Sequence, residues 1–194
     1  MTIMIGSPIL RNRAWVLPRY LEAISDLKYP KEDIHLAFFI NGEPQDRTQC
    51  ILEIFQSRYE NEYESIDIWS LNDNYVYIRD GNRDYTHFAA IRNIWLQMRK
   101  EKDTHVFSVD SDILVYPETL NRLLEVNQPI VSALICNSVE KRVCPQYNIH
   151  RFSKHHDGIV PMMPEDVEGP VAKIDFTGAC YLIKKEVLDD NVCY

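Results

Sequence analysis

The feature that most constrains the fold of this sequence is a regular alternation of apolar segments with amphipathic ones. The segment "IHLAFFI" (34–40) is almost continuously apolar, and residues at helical spacing follow it. Strands without a polar face are buried on both sides, which happens when helices cover both faces of a parallel sheet. The alternation predicts strands over 2–5 (with a break at Gly6 to Pro8), 34–40, 65–71, 105–115, 129–136 and 173–183, and helices over 17–27, 46–55, 86–100 and 117–124.

The sequence therefore predicts an α/β protein with a mostly parallel sheet and helices on both faces. Its 194 residues, of which 45% are apolar, suffice for one well-filled core, so we expect a single domain. In sheets of this kind ligands bind beyond the carboxyl ends of the strands. Pro8, Asn41 and Asp110 are each predicted to lie at such an end.

Composition and charge exclude several classes of partner. The formal net charge is −8 and the basic residues are not clustered, so a footprint for nucleic acid is missing. The longest apolar runs have seven and eight residues, whereas a membrane-spanning helix needs about 20. The N-terminal segment has no basic start of the kind found in secretory signals. These observations predict a cytoplasmic protein without a transmembrane segment.

The segment "HVFSVDSDILV" places two carboxylates, Asp110 and Asp112, at the end of a predicted buried strand. Residues two apart along an extended strand face the same way, so both carboxylates are expected to reach one point. Carboxylate oxygens suit a hard divalent cation, Mg²⁺ or Mn²⁺, which keeps water and substrate phosphates as its other ligands. The alternative is that the two acids end the strand or cap the next helix and bind nothing.

Three metal or phosphate sites use acidic residues at this spacing. An EF-hand loop would need an oxygen ligand and a glycine where this chain has Leu114 and Val115, so it is excluded. An aspartyl-nucleophile phosphatase would carry Thr or Val at position 114 and would place the motif early in the chain, which disfavours that interpretation. The third is the metal motif of a glycosyltransferase.

Five segments, in the same order, carry a resemblance to a known family. They are "ILRNRAWVLPRYLEAISDLKYPKEDIHL" (9–36), "FFINGEPQDRT" (38–48), "AAIRNIWL" (89–96), "VDSD" (109–112) and "IDFTGACYLIKKEVL" (174–188). The chain resembles the GT-A glycosyltransferases of the family 2 type, and within them the branch of the procollagen galactosyltransferases and their bacterial relatives. The resemblance covers nearly the whole chain and implies the GT-A fold.

The resemblance implies a nucleotide-diphospho-sugar donor in a cleft over the first, second and fourth strands. Pro8 and Arg11 would lie beside the base, and Asn41 would contact the base or the ribose. Many relatives carry an acid where this chain has Asn41. The base of the nucleotide is therefore left open.

The resemblance also implies how the diphosphate end of the donor is held. Asp112, with Asp110, would hold Mn²⁺ or Mg²⁺ on the diphosphate. Asp110 and the neighbouring Ser111 would approach the ribose or the sugar. Arg92 would fix the nucleotide or the aspartate pair. A cation in this position stabilises the nucleoside diphosphate as it leaves the sugar.

The acceptor side is implied to lie around Thr177, Gly178 and Ala179, with a glycan, a lipid-linked molecule or a protein as acceptor. Residues 1–112 would form the nucleotide-sugar-binding half of the domain and 113–194 the acceptor-side half. Family 2 enzymes carry a catalytic carboxylate after this segment, and the chain ends short of that point. We therefore expect a shortened chain, a base elsewhere with Asp175 as the substitute, or a protein that does not turn over.

Two further functions stay open at this stage. One is a catalytically silent nucleotide-sugar-binding or assembly module, which the missing carboxylate favours. The other is phosphotransfer with Asp110 as nucleophile.

Single residues also have structural interpretations that need no ligand. Arg92 would then pair with a structural carboxylate, and Arg11 and Arg13 would be solvated loop charges. The three tryptophans, Trp15, Trp69 and Trp95, are predicted to belong to the core.

Overall fold

The structure is a computed structural model that describes residues 1–42, 47–71, 78–79, 82–83, 85–136, 147–153, 158–167 and 169–189. Its helices are α1 (Leu17–Ser25), α2 (Thr48–Tyr59), α3 (Tyr85–Leu96), α4 (Thr119–Val126) and α5 (Lys185–Asp189). Its strands are β1 (Thr2–Leu10), β2 (Ile34–Asn41), β3 (Ser65–Leu71), β4 (Ile78–Arg79), β5 (Asn82–Arg83), β6 (Asp103–Val109), β7 (Ile130–Ser132), β8 (Ile149–Phe152), β9 (Ile159–Pro161), β10 (Phe176–Thr177) and β11 (Cys180–Lys184). Short 3-10 turns lie at Arg11–Arg13, Lys31–Asp33 and Pro164–Asp166.

Six strands form one sheet in the order β3-β2-β1-β6-β11-β7. The first four run parallel, and β11 runs antiparallel to both β6 and β7. A small antiparallel sheet has the order β10-β8-β9, and β4 pairs with β5. The prediction of an α/β protein with a mostly parallel sheet is confirmed.

Helices cover both faces of the six-stranded sheet. Because alternate residues of a strand point to opposite faces, Ile3 and Ile5 of β1 belong to one apolar cluster and Met4 to another. The first cluster includes buried residues of α1, α2 and α4, and the second includes Ile91 and Trp95 of α3. Both faces are therefore buried, as the apolar strands predict. None of the helices in the described part of the chain has the length and hydrophobicity that crossing a membrane requires.

The sheet and α3 approach each other closely at Gly6. The buried indole of Trp95 donates from Nε1 to the carbonyl oxygen of Ala37 at 2.9 Å. Gly6 lies beside Ala37 in register, has φ +152°, and a Cβ on it would fall 1.9 Å from that same oxygen. Only glycine fits this position. The close approach fixes the part of β1 that leads to Pro8.

A charged cluster closes the opposite end of the sheet, at the amino ends of the strands. The fully buried ring of His35 lies between two carboxylates, with Nδ1 2.8 Å from Oδ2 of Asp103 and Nε2 2.9 Å from Oδ2 of Asp67. Lys100 pairs with Asp67 at 2.9 Å. This cluster ties β2, β3 and β6 together on the side away from the carboxyl ends of the strands.

Several predicted elements end differently in the structure. The predicted break at Gly6 to Pro8 is wrong, because β1 continues through these residues to Leu10 in register with β2. β6 stops at Val109 and does not continue to residue 115, and the predicted strand over 129–136 is reduced to β7. The predicted strand over 173–183 is divided into β10 and β11, because the φ of Ala179 is 67° and interrupts the extended backbone. α2 begins at Thr48, and Asp46, which predicted its start, lies outside the described residues.

The prediction that all three tryptophans are core residues is wrong for two of them. Trp95 is fully buried, but Trp15 is 73% exposed and Trp69 is 46% exposed. Trp15 lies in the loop between β1 and α1, and Trp69 lies near the end of β3, which is an edge strand of the main sheet. Neither place has a packing layer on every side.

Candidate functional site

A cavity of about 130 Å³ opens at the carboxyl ends of β1 and β6. Its wall is partly apolar and partly charged, so it can hold a flat ring and an anion side by side. The lining residues are Pro8, Leu10, Arg13, Phe88, Ile91, Arg92, Asp110, Ser111 and Asp112. Five of the residues that the sequence predicted for donor or metal binding, Pro8, Arg92, Asp110, Ser111 and Asp112, therefore meet at one place.

Asp110 and Asp112 reach the cavity through a turn. The extended backbone ends at Val109, and the amide of Ile113 donates to the carbonyl oxygen of Asp110 at 2.8 Å. The expectation that both acids lie on one face of an extended strand is therefore wrong. The turn brings both carboxylates to the cavity instead. It is held from the residue before β11, because the amide of Asp110 donates to the carbonyl oxygen of Ala179 at 2.8 Å.

Arg92 of α3 is fixed against the sheet by three hydrogen bonds. Its Nη1 donates to Oγ of Ser108 at 3.0 Å and to the hydroxyl of Tyr181 at 2.9 Å. Its Nη2 donates to Oδ1 of Asp110 at 2.5 Å. Ser108 and Tyr181 face each other across the antiparallel pair of β6 and β11, which is why one guanidinium reaches both. Arg92 therefore pairs with a carboxylate, as its structural interpretation predicts. That carboxylate, Asp110, belongs to the predicted metal motif.

The electrostatics of Asp110 reflect its half-buried position. Burial raises the pKa of Asp110, and the negative charge of Asp112 adds to this, whereas Arg92 and Arg13 act in the opposite direction. A carboxylate in such a place is stabilised by added positive charge. The cavity thus carries two carboxylates and two guanidinium groups, whose formal charges sum to zero.

Arg13 pairs with the second acid of the motif. Its Nη2 lies 3.2 Å from Oδ2 of Asp112, and the two side chains are 32% and 40% exposed. The interpretation of Arg13 as a solvated loop charge is therefore wrong. The 3-10 turn Arg11–Arg13 after β1 brings the side chain to the cavity. Arg11 lies at the start of the same turn, and its side chain is outside the described part of the structure.

Asn41 is the last residue of β2 and is 1% exposed. It pairs in register with Leu10, the last residue of β1, which lines the cavity. Asn41 itself is not among the lining residues. The structure therefore brings Asn41 to the carboxyl end of β2, buried beside a strand that lines the cavity.

The predicted acceptor-side residues surround a buried polar side chain, that of Asn148. Its Nδ2 donates to the carbonyl oxygens of Ala133 and Gly178, both at 2.9 Å, and its Oδ1 accepts from the amide of Ile135 at 2.7 Å. Thr177 lies beside it, with Oγ1 2.6 Å from Oγ of Ser132. Thr177, Gly178 and Ala179 thus border the D-x-D turn from the β11 side without lining the cavity.

Asp175 is placed away from the predicted metal motif. Its Oδ2 accepts a hydrogen bond from the amide of Phe152 at 3.0 Å, and its own amide donates to the carbonyl oxygen of His150 at 3.2 Å. It is exposed next to the small sheet and does not line the cavity. The structure therefore does not bring it together with Asp110 and Asp112.

A divalent cation would find two carboxylate ligands at the cavity, from Asp110 and Asp112. Within the described ranges, no group of three or more His, Cys, Asp or Glu side chains is arranged to hold a metal ion. Mg²⁺ and Mn²⁺ are commonly bound through one or two carboxylates, with substrate phosphates and water completing the shell. Among the described residues, the donor set therefore gives a cation two protein ligands and leaves the rest of its shell to water or to a diphosphate.

The family model described as Anp1 matches residues 1–159, which is most of the 194-residue chain. The chain belongs to the Anp1 family. The resemblance that the five sequence segments carry is confirmed by similar proteins with glycosyltransferase names. A glycosyltransferase 25 family member of Aedes aegypti is 27% identical over 137 residues, or 66% of this chain and 22% of that protein. Procollagen galactosyltransferase 1-A of Xenopus laevis is 27% identical over 143 residues, or 69% of this chain and 23% of that protein.

A similar segment also occurs in a protein named for a different reaction. Human procollagen-lysine,2-oxoglutarate 5-dioxygenase 2 is 30% identical over 122 residues, or 61% of this Anp1 chain and 15% of that protein. The chain spans less than a quarter of the length of each of these three relatives.

Solved structures show that this Anp1 chain has the GT-A fold. TarS 1–349 of S. aureus superposes with a TM-score of 0.61 at 16% identity, covering 98% of this chain and 49% of that one. The same protein in complex with UDP gives a TM-score of 0.60. The mannosyltransferase PcManGT of Pyrobaculum calidifontis, in complex with GDP-Man and Mn²⁺, gives 0.58 at 16% identity, covering 99% of this chain and 47% of that one.

Residues that the sequence did not assign to the site complete it in the Anp1 chain. Phe88 precedes Arg92 by four residues, so helical spacing could have placed it beside Arg92. No local sequence pattern predicts that Arg13 and Tyr181 lie at the site. Their positions follow from a turn after β1 and from the register between β6 and β11, which only the tertiary structure provides.

Proposed function

We propose that this Anp1 chain is the donor-binding part of a glycosyltransferase, which moves a sugar from a nucleoside diphosphate to an acceptor hydroxyl. The observation that carries the proposal is the meeting of two carboxylates and two guanidinium groups around one cavity at the carboxyl ends of β1 and β6. Because these four charges sum to zero, a diphosphate and a divalent cation can enter together without leaving a net charge. The neighbours solved with UDP and with GDP-Man and Mn²⁺ have the same fold, which supports this choice of donor.

The diphosphate end of the donor is assigned to the D-x-D turn. Asp112, with Asp110, would hold Mn²⁺ or Mg²⁺, and Asp110 and Ser111 would face the ribose or the sugar. When bound, the cation would stabilise negative charge on the departing nucleoside diphosphate. Arg92 keeps Asp110 in place through its 2.5 Å contact and adds positive charge at the same point.

The base of the nucleotide is assigned to the apolar wall of the cavity. Pro8, Leu10, Phe88 and Ile91 provide a surface that a flat ring can cover. Arg11 is assigned to the edge of the base, and Asn41 to the base or the ribose.

The acceptor hydroxyl would approach from the β11 side, next to Thr177, Gly178 and Ala179. Its source would be a glycan, a lipid-linked molecule or a protein. Transfer requires a base that takes the proton of this hydroxyl. Asp175 is the carboxylate that we assign to this role within the chain, and it would have to move with the small sheet to reach the cavity. In this division 1–112 bind the donor and 113–194 form the acceptor side.

Calorimetry with UDP and GDP, with and without Mn²⁺, tests the proposal on the isolated chain. We expect one of the two nucleotides to bind, and to bind at least tenfold more weakly when Mn²⁺ is removed or when Asp112→Asn replaces a carboxylate by an amide. Asp26→Asn is the matched control, since Asp26 is exposed at the end of α1, away from the cavity. Metal-independent binding, or equal binding by Asp112→Asn and the wild type, would contradict the proposed role of the aspartates.

A catalytically silent nucleotide-sugar-binding module is the second candidate. Two observations favour it: Asp175 lies outside the cavity wall, and a similar segment is present in a protein named as a dioxygenase. A donor hydrolysis assay separates the two functions. An active transferase releases free nucleoside diphosphate from the sugar nucleotide, whereas a silent module binds the donor and releases none.

A further inference from the structure

The two arginines of the cavity are held in different ways. Arg92 is 20% exposed and is fixed by Ser108, Tyr181 and Asp110. Arg13 is 32% exposed, and within the described residues its guanidinium has one ion-pair partner, Asp112, at 3.2 Å. A single half-exposed ion pair holds a long side chain weakly. Arg13 is therefore the cavity arginine that can change its partner.

We propose that Arg13 and a divalent cation compete for Asp112, and that Arg13 becomes a ligand of the donor diphosphate when the cation takes its place. The second half of this inference rests on the proposed function. The first half concerns the protein and the metal ion alone.

The competition follows from the geometry and the charges. Nη2 of Arg13 lies 3.2 Å from Oδ2 of Asp112, so a cation that binds this carboxylate meets a like charge that is already held there. Two positive groups on one carboxylate repel each other, so each weakens the binding of the other. Because Asp112 is 40% exposed, a hydrated cation can reach it from solvent and displace the arginine.

The displaced guanidinium stays at the cavity. Arg13 lines the cavity together with the fixed Arg92, and it reaches the cavity from the turn after β1 whereas Arg92 lies on α3. A guanidinium that has lost its carboxylate binds a phosphate oxygen readily, because its planar fork matches two oxygens at once. The diphosphate that brings the cation is the nearest anion of this kind.

Replacing Arg13 should therefore have opposite effects on the binding of Mn²⁺ and of the nucleoside diphosphate. In Arg13→Gln, Asp112 is freed from its competitor, so the affinity for Mn²⁺ alone rises. The same variant lacks the diphosphate ligand, so the affinity for the nucleoside diphosphate at saturating Mn²⁺ falls. A residue that only supports the fold would lower both affinities or neither.

The experiment measures Mn²⁺ binding by electron paramagnetic resonance and nucleotide binding by calorimetry on the full chain. For Arg13→Gln we expect Mn²⁺ alone to bind about twofold to fivefold more tightly than to the wild type. We expect UDP or GDP, whichever the wild type binds, to bind about tenfold more weakly at saturating Mn²⁺. Arg99→Gln is the matched control, because Arg99 forms a comparable pair with Asp189, with side chains 23% and 42% exposed, away from the cavity. It should change neither affinity.

Arg13→Lys keeps the positive charge and loses the fork, and its melting temperature shows whether the site still folds. The affinity of Arg13→Lys for Mn²⁺ alone should match that of the wild type. Its affinity for nucleotide at saturating Mn²⁺ should match that of Arg13→Gln. Unchanged or weaker Mn²⁺ binding by Arg13→Gln, in a protein that otherwise binds Mn²⁺ and nucleotide, overturns the inference and leaves the proposed function intact. Absence of Mn²⁺ and nucleotide binding from the wild type and from every variant overturns both.

Discussion

The hydroxyl of Tyr181 accepts a hydrogen bond from Nη1 of Arg92 at 2.9 Å, and the guanidinium carbon lies 5.9 Å from the centre of the same ring. The other end of that guanidinium reaches Asp110 at 2.5 Å. β11 and the residue before it therefore hold the D-x-D turn at two points. Tyr181 acts through Arg92, and the carbonyl oxygen of Ala179 accepts directly from the amide of Asp110. A strand predicted for the acceptor side thus positions a carboxylate predicted for the donor side.

Removing the hydroxyl of Tyr181 tests whether its hydrogen bond to Arg92 supports Asp110. In Tyr181→Phe, Arg92 loses one hydrogen bond and Asp110 loses part of its support. We expect the Mn²⁺-dependent affinity for nucleotide to fall about threefold to tenfold, and the free energy of unfolding to fall by about 1 kcal/mol. Calorimetry and urea denaturation measure the two quantities. Tyr63→Phe is the control, since the buried hydroxyl of Tyr63 has no hydrogen-bond partner among the described residues.

The buried amide of Asn148 joins the backbone of Ala133, Ile135 and Gly178, and Asn148→Asp should weaken these contacts strongly. The substitution replaces a donor to two carbonyl oxygens by a carboxylate oxygen, which repels both. We expect the free energy of unfolding to fall by about 2–4 kcal/mol. Urea denaturation measures this loss. The surface control is Asn121→Asp in α4, where one hydrogen bond to the carbonyl of Lys28 is lost, and equal losses for the two variants would contradict the central role of Asn148.

Gly6 is required by the close approach of its neighbours. In Gly6→Ala the new Cβ would lie 1.9 Å from a backbone oxygen of Ala37, which cannot move away as the end of a side chain could. We expect a loss of about 3 kcal/mol or more in the free energy of unfolding, or failure to fold. Gly158→Ala is the matched control, because no atom lies within 4 Å of a Cβ built there. Its thermal melting should match that of the wild type.

His105 of β6 gives the stability a defined pH dependence. Burial lowers the pKa of His105, Lys184 adds to this, and Glu186 opposes it. The unfolded histidine has a pKa near 6.5, so as the pH falls below about 6.5 the unfolded chain takes up a proton that the folded chain resists. Stability is therefore lost on the acid side of this value. His105→Gln removes the effect, so denaturant unfolding at pH 7.5 and 5.5 should show a smaller acid loss for the variant. Parallel losses in the two proteins would contradict this origin.

Part of the candidate site could be predicted from local sequence. The apolar run before Asp110 and Asp112 predicts a buried strand, and strand ends in a parallel sheet gather at one edge, so both acids and Pro8 were expected there. The geometry between the acids was predicted wrongly. The prediction requires an extended backbone through Ser111. Instead, the hydrogen bond from the amide of Ile113 to the carbonyl oxygen of Asp110 closes a turn, which the local sequence does not predict.

The contacts within the site could not be predicted, because they join residues far apart in the chain. Arg13 meets Asp112 across 99 positions of the sequence only because β1 and β6 are neighbours in the sheet. Tyr181 meets Arg92 because β11 pairs with β6 in one register, in which Tyr181 lies opposite Ser108. A shift of that register by one residue would turn Tyr181 to the other face of the sheet.

The alternation of strands and helices, the burial of the sheet on both faces, and the two acids at a strand end can all be read from the order of residues in the chain. These features depend on the order of apolar and polar residues along a short stretch of chain, which is a local property. Which arginine faces which aspartate, where Asp175 lies, and that Asn148 joins Ala133 to Gly178 follow only from the tertiary structure. Those choices are set by strand order and register, since hydrogen bonds and ion pairs form only where packing brings their partners within about 3 Å.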